Sequence, residues 1–155
     1  MQEKEFNRIV RSTIIKENGW AFKIPDPPKA MMLSNKLPEQ NPFDGFGILT
    51  NGKPVYWESK YMKGFHSFNL DAIRDHQVDN LLKIKTLNKD LLCIIILCCN
   101  ISPRDKRVFL FNNIENIKYR RDNKLNYKVK ELNTLPYLTI KVNTIIDFTK
   151  TLINL

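Results

Sequence analysis

Residues 44–60 read DGFGILTNGKPVYWESK, and this stretch predicts a β-hairpin. Two apolar runs flank Asn51-Gly52, a dipeptide that readily supplies the positive φ values of a tight hairpin turn. We therefore expect two antiparallel strands, Phe43–Leu49 and Pro54–Ser59, joined by a two-residue turn. Because side chains alternate between the two faces of a strand, Glu58 and Lys60 point in the same direction.

The hairpin brings Asp44, which opens the first apolar run, back towards Glu58 and Lys60. Two carboxylates beside an ammonium group suit Mg²⁺, which proteins bind through one or two carboxylates together with waters and substrate phosphates. The backbone carbonyl of Ser59 is a further candidate ligand. Such a site would hydrolyse a phosphodiester with a metal-activated water. Lys60 would either orient or deprotonate that water, or neutralise negative charge on the phosphate. The spacing alone also fits a plain cross-strand Glu–Lys pair with Asp44 as a turn residue.

The rest of the sequence predicts helices and strands on either side of this hairpin. Helices are expected over residues 3–17, 71–87, 114–121 and 142–155, and further strands over residues 20–24, 91–99 and 107–111. The continuous apolar run of residues 91–99 is typical of a central strand covered on both faces. We therefore predict an α/β fold with a mixed central sheet flanked by helices. Residues 1–155 are expected to form one domain with a proline-rich connection at 25–42.

The charge of the chain predicts a polyanionic partner. Lys and Arg number 25 against 16 Asp and Glu, which gives a net charge of +9, and residues 101–155 carry most of this excess. A basic balance of this size favours nucleic acid or an acidic membrane surface, although a Lys- and Asn-rich composition from an AT-rich genome is an alternative. The candidate phosphate contacts are the basic residues Arg104, Lys106, Arg107, Lys118, Arg120 and Arg121. An ordinary solvated charged face would look the same in sequence.

The cysteines and the hydropathy of the chain indicate a cytoplasmic protein. All three cysteines, Cys93, Cys98 and Cys99, fall in one apolar run, so we expect reduced, buried thiols and no disulfide. The longest apolar run has nine residues, Leu91 to Cys99, whereas a membrane span needs about twenty. No signal peptide is expected, because the first residues lack an apolar core segment.

A second motif follows the hairpin and gives it a family context. Residues 67–81 read SFNLDAIRDHQVDNL, so that Ser-Phe-x-Leu-x-x-Ile-x-x-His-Gln comes soon after Glu-x-Lys. With the Asp-Gly hairpin, these residues resemble the core of the RecU Holliday junction resolvases, members of the PD-(D/E)xK nuclease superfamily. The similarity covers residues 43–82 well and the flanking segments in outline.

The resemblance implies a restriction-endonuclease-like core and assigns roles by position. It implies that Asp44 and Glu58 are metal ligands and that Lys60 is the catalytic lysine. Gln77 matches a glutamine on the helix beside the active site, and a solvent-facing helix residue is its alternative interpretation. Relatives also place an acidic residue of the first helix near the metal, for which Glu5 is our candidate and Glu3 nearly as good.

The resemblance further implies a Mg²⁺-dependent endonuclease that resolves four-way junctions, with Mn²⁺ as a possible substitute. Paired symmetric nicks suit a homodimer with twofold symmetry. The chain departs from the family at residues 25–42, where relatives carry a longer stalk implicated in gripping the junction. Two alternatives therefore remain open. One is a nuclease of the same superfamily acting on linear, flap or phage DNA, and the other is a non-catalytic DNA-binding module of the same fold.

Overall fold

The structure is a computed structural model and describes residues 1–25 and 41–155. Most of the predicted proline-rich connection, residues 25–42, lies outside the described residues. The helices are α1 (Glu3–Lys16), α2 (Asp75–Leu87), α3 (Ile114–Asp122), α4 (Val129–Thr134) and α5 (Phe148–Ile153). The strands are β1 (Trp20–Lys23), β2 (Gly45–Ile48), β3 (Pro54–Lys63), β4 (Leu92–Asn100), β5 (Lys106–Phe111), β6 (Leu138–Lys141) and β7 (Thr144–Ile145).

The described strands form one sheet whose spatial order follows the chain, from β1 to β7. Neighbouring strands pair in an antiparallel manner except β3 and β4, which are parallel and therefore need the crossover that contains α2. The predicted α/β class, a mixed sheet flanked by helices, is confirmed.

Two apolar cores lie on opposite faces of the sheet. On one face α1 packs through Phe6, Ile9 and Val10 against alternate residues of β3 and β4. On the other face α2 and α3 pack against the remaining residues of β4 and against β5. Every residue of β4 from Leu92 to Cys99 is buried, as expected for a central strand covered on both faces. The three cysteines lie in this strand as free, buried thiols, and burial raises the pKa of Cys93 to about 11.

The hairpin between β2 and β3 forms as predicted but with a longer turn. Leu49 donates its N–H to the Lys53 carbonyl at 2.9 Å, so three residues, Thr50 to Gly52, form the loop. Only Gly52 has a positive φ there, at 82°. A three-residue loop needs one left-handed residue, which glycine supplies without steric cost, whereas the expected two-residue turn needs two.

The strand β3 extends four residues beyond its predicted end, to Lys63, because β4 continues to pair with it after β2 has left. At the end of α1 the residue with positive φ is Asn18 (62°), not Gly19. Gly19 is required for close packing instead, since a Cβ there would lie 2.7 Å from Cγ2 of Ile14.

Two predicted helices begin later than expected. A 3-10 turn at Leu70–Ala72, capped by the Asn69 side chain, precedes α2, which starts at Asp75. The closing helix predicted over residues 142–155 is only partly present: residues 144–145 form β7 and the helix starts at Phe148. Val142, Asn143 and Asp147 all have positive φ, which interrupts a helix. Neither α4 nor β6 was predicted from the sequence.

None of the described helices is long and apolar enough to cross a membrane.

Candidate active site

The candidate site lies where β2 leaves the sheet and β3 continues alone beside β4. The last paired residues are Gly45 and Trp57, followed by one further bond from the Asp44 N–H to the Trp57 carbonyl at 3.0 Å. Beyond that point β3 has a free edge among the described residues. Asp44 covers the start of this edge with its side chain.

Asp44 replaces the missing strand neighbour of Ser59. Its Oδ2 atom accepts the Ser59 N–H at 2.9 Å and the Ser59 hydroxyl at 2.6 Å. The hydroxyl contact was not predicted from the sequence, because alternation along the strand points Ser59 away from Glu58 and Lys60. These two bonds orient the Asp44 carboxylate and hold it against Ser59, the residue that follows Glu58.

Glu58 is completely buried, and its two carboxylate oxygens have different surroundings. Oε1 lies 2.7 Å from Nζ of Lys60 and accepts a hydrogen bond from Nε2 of Gln77 at 2.6 Å. Oε2 is buried and has no hydrogen-bond partner among the described residues. Burial first, and then the nearby Asp44 carboxylate, raises the pKa of Glu58 to about 7, although Lys60 acts in the opposite direction.

Gln77 is held in place by the start of α2. Its Oε1 accepts the N–H of Arg74 at 2.9 Å, which satisfies one of the free N–H groups that every helix N-terminus exposes. With its oxygen engaged there, the amide can present only its NH₂ group to Glu58. Gln77 therefore couples the N-terminus of α2 to the buried carboxylate. In the sequence, only the family resemblance pointed to Gln77 as a residue beside the site.

The first helix brings Glu3, rather than Glu5, to Lys60. Oε1 of Glu3 lies 3.7 Å from Nζ of Lys60, whereas Glu5 lies 3.8 Å from the amine of Met1. The reason is helical geometry: Glu3 shares a face with Asn7, which accepts a hydrogen bond from the Trp57 indole, and residue 5 lies on a different side.

The site residues fit Mg²⁺ or a similar hard cation. An orphaned, buried carboxylate oxygen is costly, and a cation beside Glu58 Oε2 would remove that cost. The Asp44 carboxylate is bound to Ser59, the residue that follows Glu58, and its charge raises the pKa of Glu58. No group of three or more His, Cys, Asp or Glu side chains is placed to hold a metal in the described part of the chain. Two carboxylates completed by water and phosphate are nevertheless the usual Mg²⁺ site.

The six basic residues predicted to contact DNA differ in the contacts that they make within the protein. Arg104 is exposed, and Lys106 lies at the start of β5 with its ammonium 2.6 Å from the Pro103 carbonyl. Arg107 pairs with Asp105 and lies over the rings of Phe65 and Tyr137.

The other three residues also make contacts within the protein. Lys118 lies 3.0 Å from Asp79, and Arg121 binds the Ile73 carbonyl and pairs with Asp75. Arg120 binds two backbone carbonyls, pairs with Glu131 and lies 3.9 Å from the Tyr127 ring centre.

Comparison of the sequence with protein-family models and with curated proteins gives no match. Among solved structures, the chain is similar to Hjc from Archaeoglobus fulgidus, a Holliday junction resolvase from an archaeal hyperthermophile. The two chains share 15% identity with a TM-score of 0.46, and the match covers 79% of this chain and 82% of that one. A likeness at this level assigns no role to any residue.

Proposed function

We propose that this protein is a Mg²⁺-dependent DNA endonuclease that cleaves branched DNA, most specifically a four-way junction. The observation that carries the proposal is the buried Glu58 carboxylate, which has one oxygen bound by Lys60 and Gln77 and the other without a partner in the part of the chain that the structure describes. A merely structural Glu–Lys pair gains nothing from burying an orphaned oxygen. A metal-binding carboxylate has a use for such an oxygen, because the bound ion becomes its partner.

The path of the chain supports the restriction-endonuclease-like core implied by the sequence. An antiparallel hairpin carries Asp44, the next strand carries Glu58 and Lys60, and a crossover containing α2 leads to the parallel strand β4. Asp44 and Glu58 would hold the ion, and the Ser59 carbonyl lies on the same strand edge as the N–H that Asp44 binds. When bound, Mg²⁺ lowers the pKa of water and stabilises negative charge on a phosphate.

The side chains of the protein would do the rest of the work. Glu58 and Glu3 hold the Lys60 ammonium from two sides, which aims it at a phosphate placed against the two carboxylates. From there Lys60 can donate to a phosphate oxygen as negative charge builds up on it, or orient the attacking water. Gln77 prevents Glu58 from rotating away, and a fixed ligand lowers the cost of reaching the reactive geometry. Water attacks phosphorus in line, the bond to the 3′ oxygen breaks, and that oxygen takes up a proton.

The choice of a four-way junction rests on the sequence resemblance, and it also calls for a homodimer that can make two symmetric nicks. Another DNA substrate for the same chemistry is the alternative. A non-catalytic DNA-binding module is less consistent with the site, because DNA binding by itself does not need a carboxylate buried next to a lysine.

The test is cleavage of a synthetic four-way junction and of a linear duplex with the same sequences. Each is incubated with Mg²⁺, with Mn²⁺ and with EDTA. We expect paired nicks in the junction with either metal, no cleavage in EDTA, and loss of cleavage in Lys60→Ala. The matched control is Lys83→Ala, which removes the same charge from an exposed position on α2.

Each other outcome rejects a different part of the proposal. Comparable cutting of the linear duplex would reject junction selectivity while keeping the nuclease. Tight DNA binding without cutting under any metal condition would reject the enzyme. A strict monomer by size-exclusion chromatography would contradict paired nicking by a dimer.

A further inference from the structure

Four neighbouring side chains on β1, β2 and β3 form a surface that we call the aromatic surface: Trp20, Phe22, Phe46 and Tyr56. They share one face because Phe46 lies opposite Phe22 in β1 and opposite Tyr56 in β3, and Trp20 is two residues from Phe22. This face of the sheet is the one that α2 and α3 cover further along, over β4 and β5.

The outer part of the aromatic surface is open to solvent. Trp20 is 52% exposed and Phe22 is 41% exposed, while Ile48 beside them is 45% exposed. Trp57, by comparison, is fully buried against α1 on the opposite face. An exposed group of large aromatic side chains on a soluble chain marks a binding surface more often than a scatter of single apolar residues does.

The rings lead to the candidate active site. Trp20 lies 5.6 Å from Phe46, Phe46 lies 6.2 Å from Tyr56, and Tyr56 lies 5.4 Å from Phe43, measured between ring centres. Phe43 directly precedes Asp44, the candidate metal ligand. A molecule bound on the aromatic surface therefore lies next to the place where we expect the scissile phosphate.

The geometry of the outermost rings suits a flat aromatic ligand. The planes of Trp20 and Phe22 are inclined by only 10°, and their centres are 6.4 Å apart. Aromatic side chains bind unpaired bases of any sequence by stacking, because every base has a π face.

We propose that the aromatic surface binds unpaired bases of branched DNA beside the cleavage site. The inference rests on the proposed nuclease function and deepens it, because a branch point interrupts base stacking and allows bases to separate there, whereas a continuous duplex keeps its bases stacked. The net charge of +9 favours DNA over a second copy of this equally basic chain as the occupant of the aromatic surface.

The test is binding in EDTA, so that no cleavage takes place. The probes are a duplex with a bulge of unpaired thymidines, the same duplex with abasic sites in the bulge, and the fully paired duplex. The two bulged duplexes carry the same phosphates and differ only in the bases. Stacking predicts tighter binding of the thymidine bulge by about 5- to 150-fold for each base that stacks. It also predicts quenching of the fluorescence of Trp20, the exposed tryptophan.

In Trp20→Ala and in Phe22→Ala we expect the thymidine bulge to bind no better than the abasic bulge, with affinity for the paired duplex unchanged. Both residues lie at the surface, so we expect the two variants to fold, and circular dichroism checks this. Tyr119→Ala is the matched control, because Tyr119 is 61% exposed but lies on α3, and it should keep the preference for bases.

Equal affinity for the thymidine and abasic bulges in the unmodified protein would overturn the inference. A second result would also overturn it: the unmodified protein is a dimer with no preference for bases, and Trp20→Ala converts it to a monomer. The aromatic surface would then be a subunit interface. If junction cleavage is retained in either case, the proposed nuclease function stands. Failure to bind any of the three DNAs would reject the inference, and cleavage of the four-way junction would then decide the proposed nuclease function separately.

Discussion

Gln77 shows how a single side chain can join local structure to the candidate chemistry. One end of its amide completes the first turn of α2 and the other end binds Glu58. A residue that only capped the helix would not need to face a buried carboxylate. In the proposed nuclease, this double role would make Gln77 a positioning residue that acts on the substrate through Glu58.

The variant Gln77→Leu should lose both bonds with little change in volume. We expect cleavage to fall by about 10- to 100-fold, the usual cost of removing a partner that orients a metal ligand. Gln77→Glu keeps an acceptor for the Arg74 N–H but places a carboxylate, not a donor, beside Glu58. It should therefore preserve the start of α2 and still lose activity. Single-turnover cleavage measures the rate and urea unfolding measures stability, and full activity of Gln77→Leu would contradict the role.

Glu58 should make the metal-free protein less stable as the pH rises. Its pKa is about 7 in the folded state against 4.5 as the ordinary value. Below pH 4.5 both states hold the proton and burial of the group has no ionisation cost. Between pH 4.5 and 7 the unfolded state loses its proton first, so stability falls, and above pH 7 the cost levels off at about 3 kcal/mol.

In EDTA, Glu58→Gln should therefore gain stability relative to the unmodified protein as the pH is raised from 4.5 to 8. Urea unfolding at several pH values measures this difference, with Asp90→Asn as an exposed-carboxylate control that should show little change. Added Mg²⁺ should recover stability only in the protein that keeps Glu58. A difference that does not change with pH would contradict the buried, ionisable carboxylate.

At the level of the strands, Gly45 allows β2 to pass under the Trp57 ring. A Cβ at residue 45 would lie 2.3 Å from Cζ2 of Trp57 and 2.7 Å from the Phe22 carbonyl oxygen. Trp57 is itself fixed by the bond from its indole to Asn7 on α1. The glycine is therefore required by close packing, and it immediately follows the candidate ligand Asp44.

We expect Gly45→Ala to destabilise the protein by about 1–3 kcal/mol, the usual range for added volume in a packed core. Cleavage should also fall, since the same displacement moves Asp44 relative to Glu58. Ile48→Thr on the same strand is the control, because Ile48 is exposed and such a change typically costs under about 0.5 kcal/mol. Equal urea midpoints for the two variants would contradict the packing argument.

Across the whole molecule, the basic residues divide into those that hold the fold together and those that are available to DNA. Arg120 binds two carbonyls and Glu131 and lies on the Tyr127 ring, so it ties α3 to the segment that leads into α4. Arg104 lies in the exposed loop between β4 and β5. Counting charges in the sequence cannot separate these two groups.

Arg120→Ala should therefore lower stability by about 1 kcal/mol, because it removes a charged donor from two exposed backbone carbonyls and the contact with the Tyr127 ring. Arg104→Ala should leave stability unchanged, and its phosphate contact should appear as a decrease of about one in the slope of log affinity against log salt. Urea unfolding and fluorescence anisotropy at several salt concentrations measure the two effects. An unchanged slope for Arg104→Ala would remove it from the DNA contacts.

The α/β class, the central buried strand and the hairpin that carries Asp44, Glu58 and Lys60 could all be predicted from the sequence. These follow from signals that are local or periodic: a run of apolar residues, an Asn-Gly turn and alternation along a strand. The end of the chain was harder to predict. Residues 142–147 have an apolar pattern that suits a helix, but positive φ values at three positions turn them into a short hairpin.

The assembly of the candidate site depends on tertiary contacts that could not be predicted from the sequence. Glu58 is buried, Gln77 of α2 binds one of its oxygens, and the other has no partner within residues 1–25 and 41–155. Glu3 reaches Lys60 because α1 is anchored to Trp57 through Asn7. The tertiary structure also decided that Trp20 and Phe22 are exposed while Trp57 is buried. Such outcomes depend on which elements cover which faces, and contacts between residues far apart in the chain leave no periodic signal in the sequence.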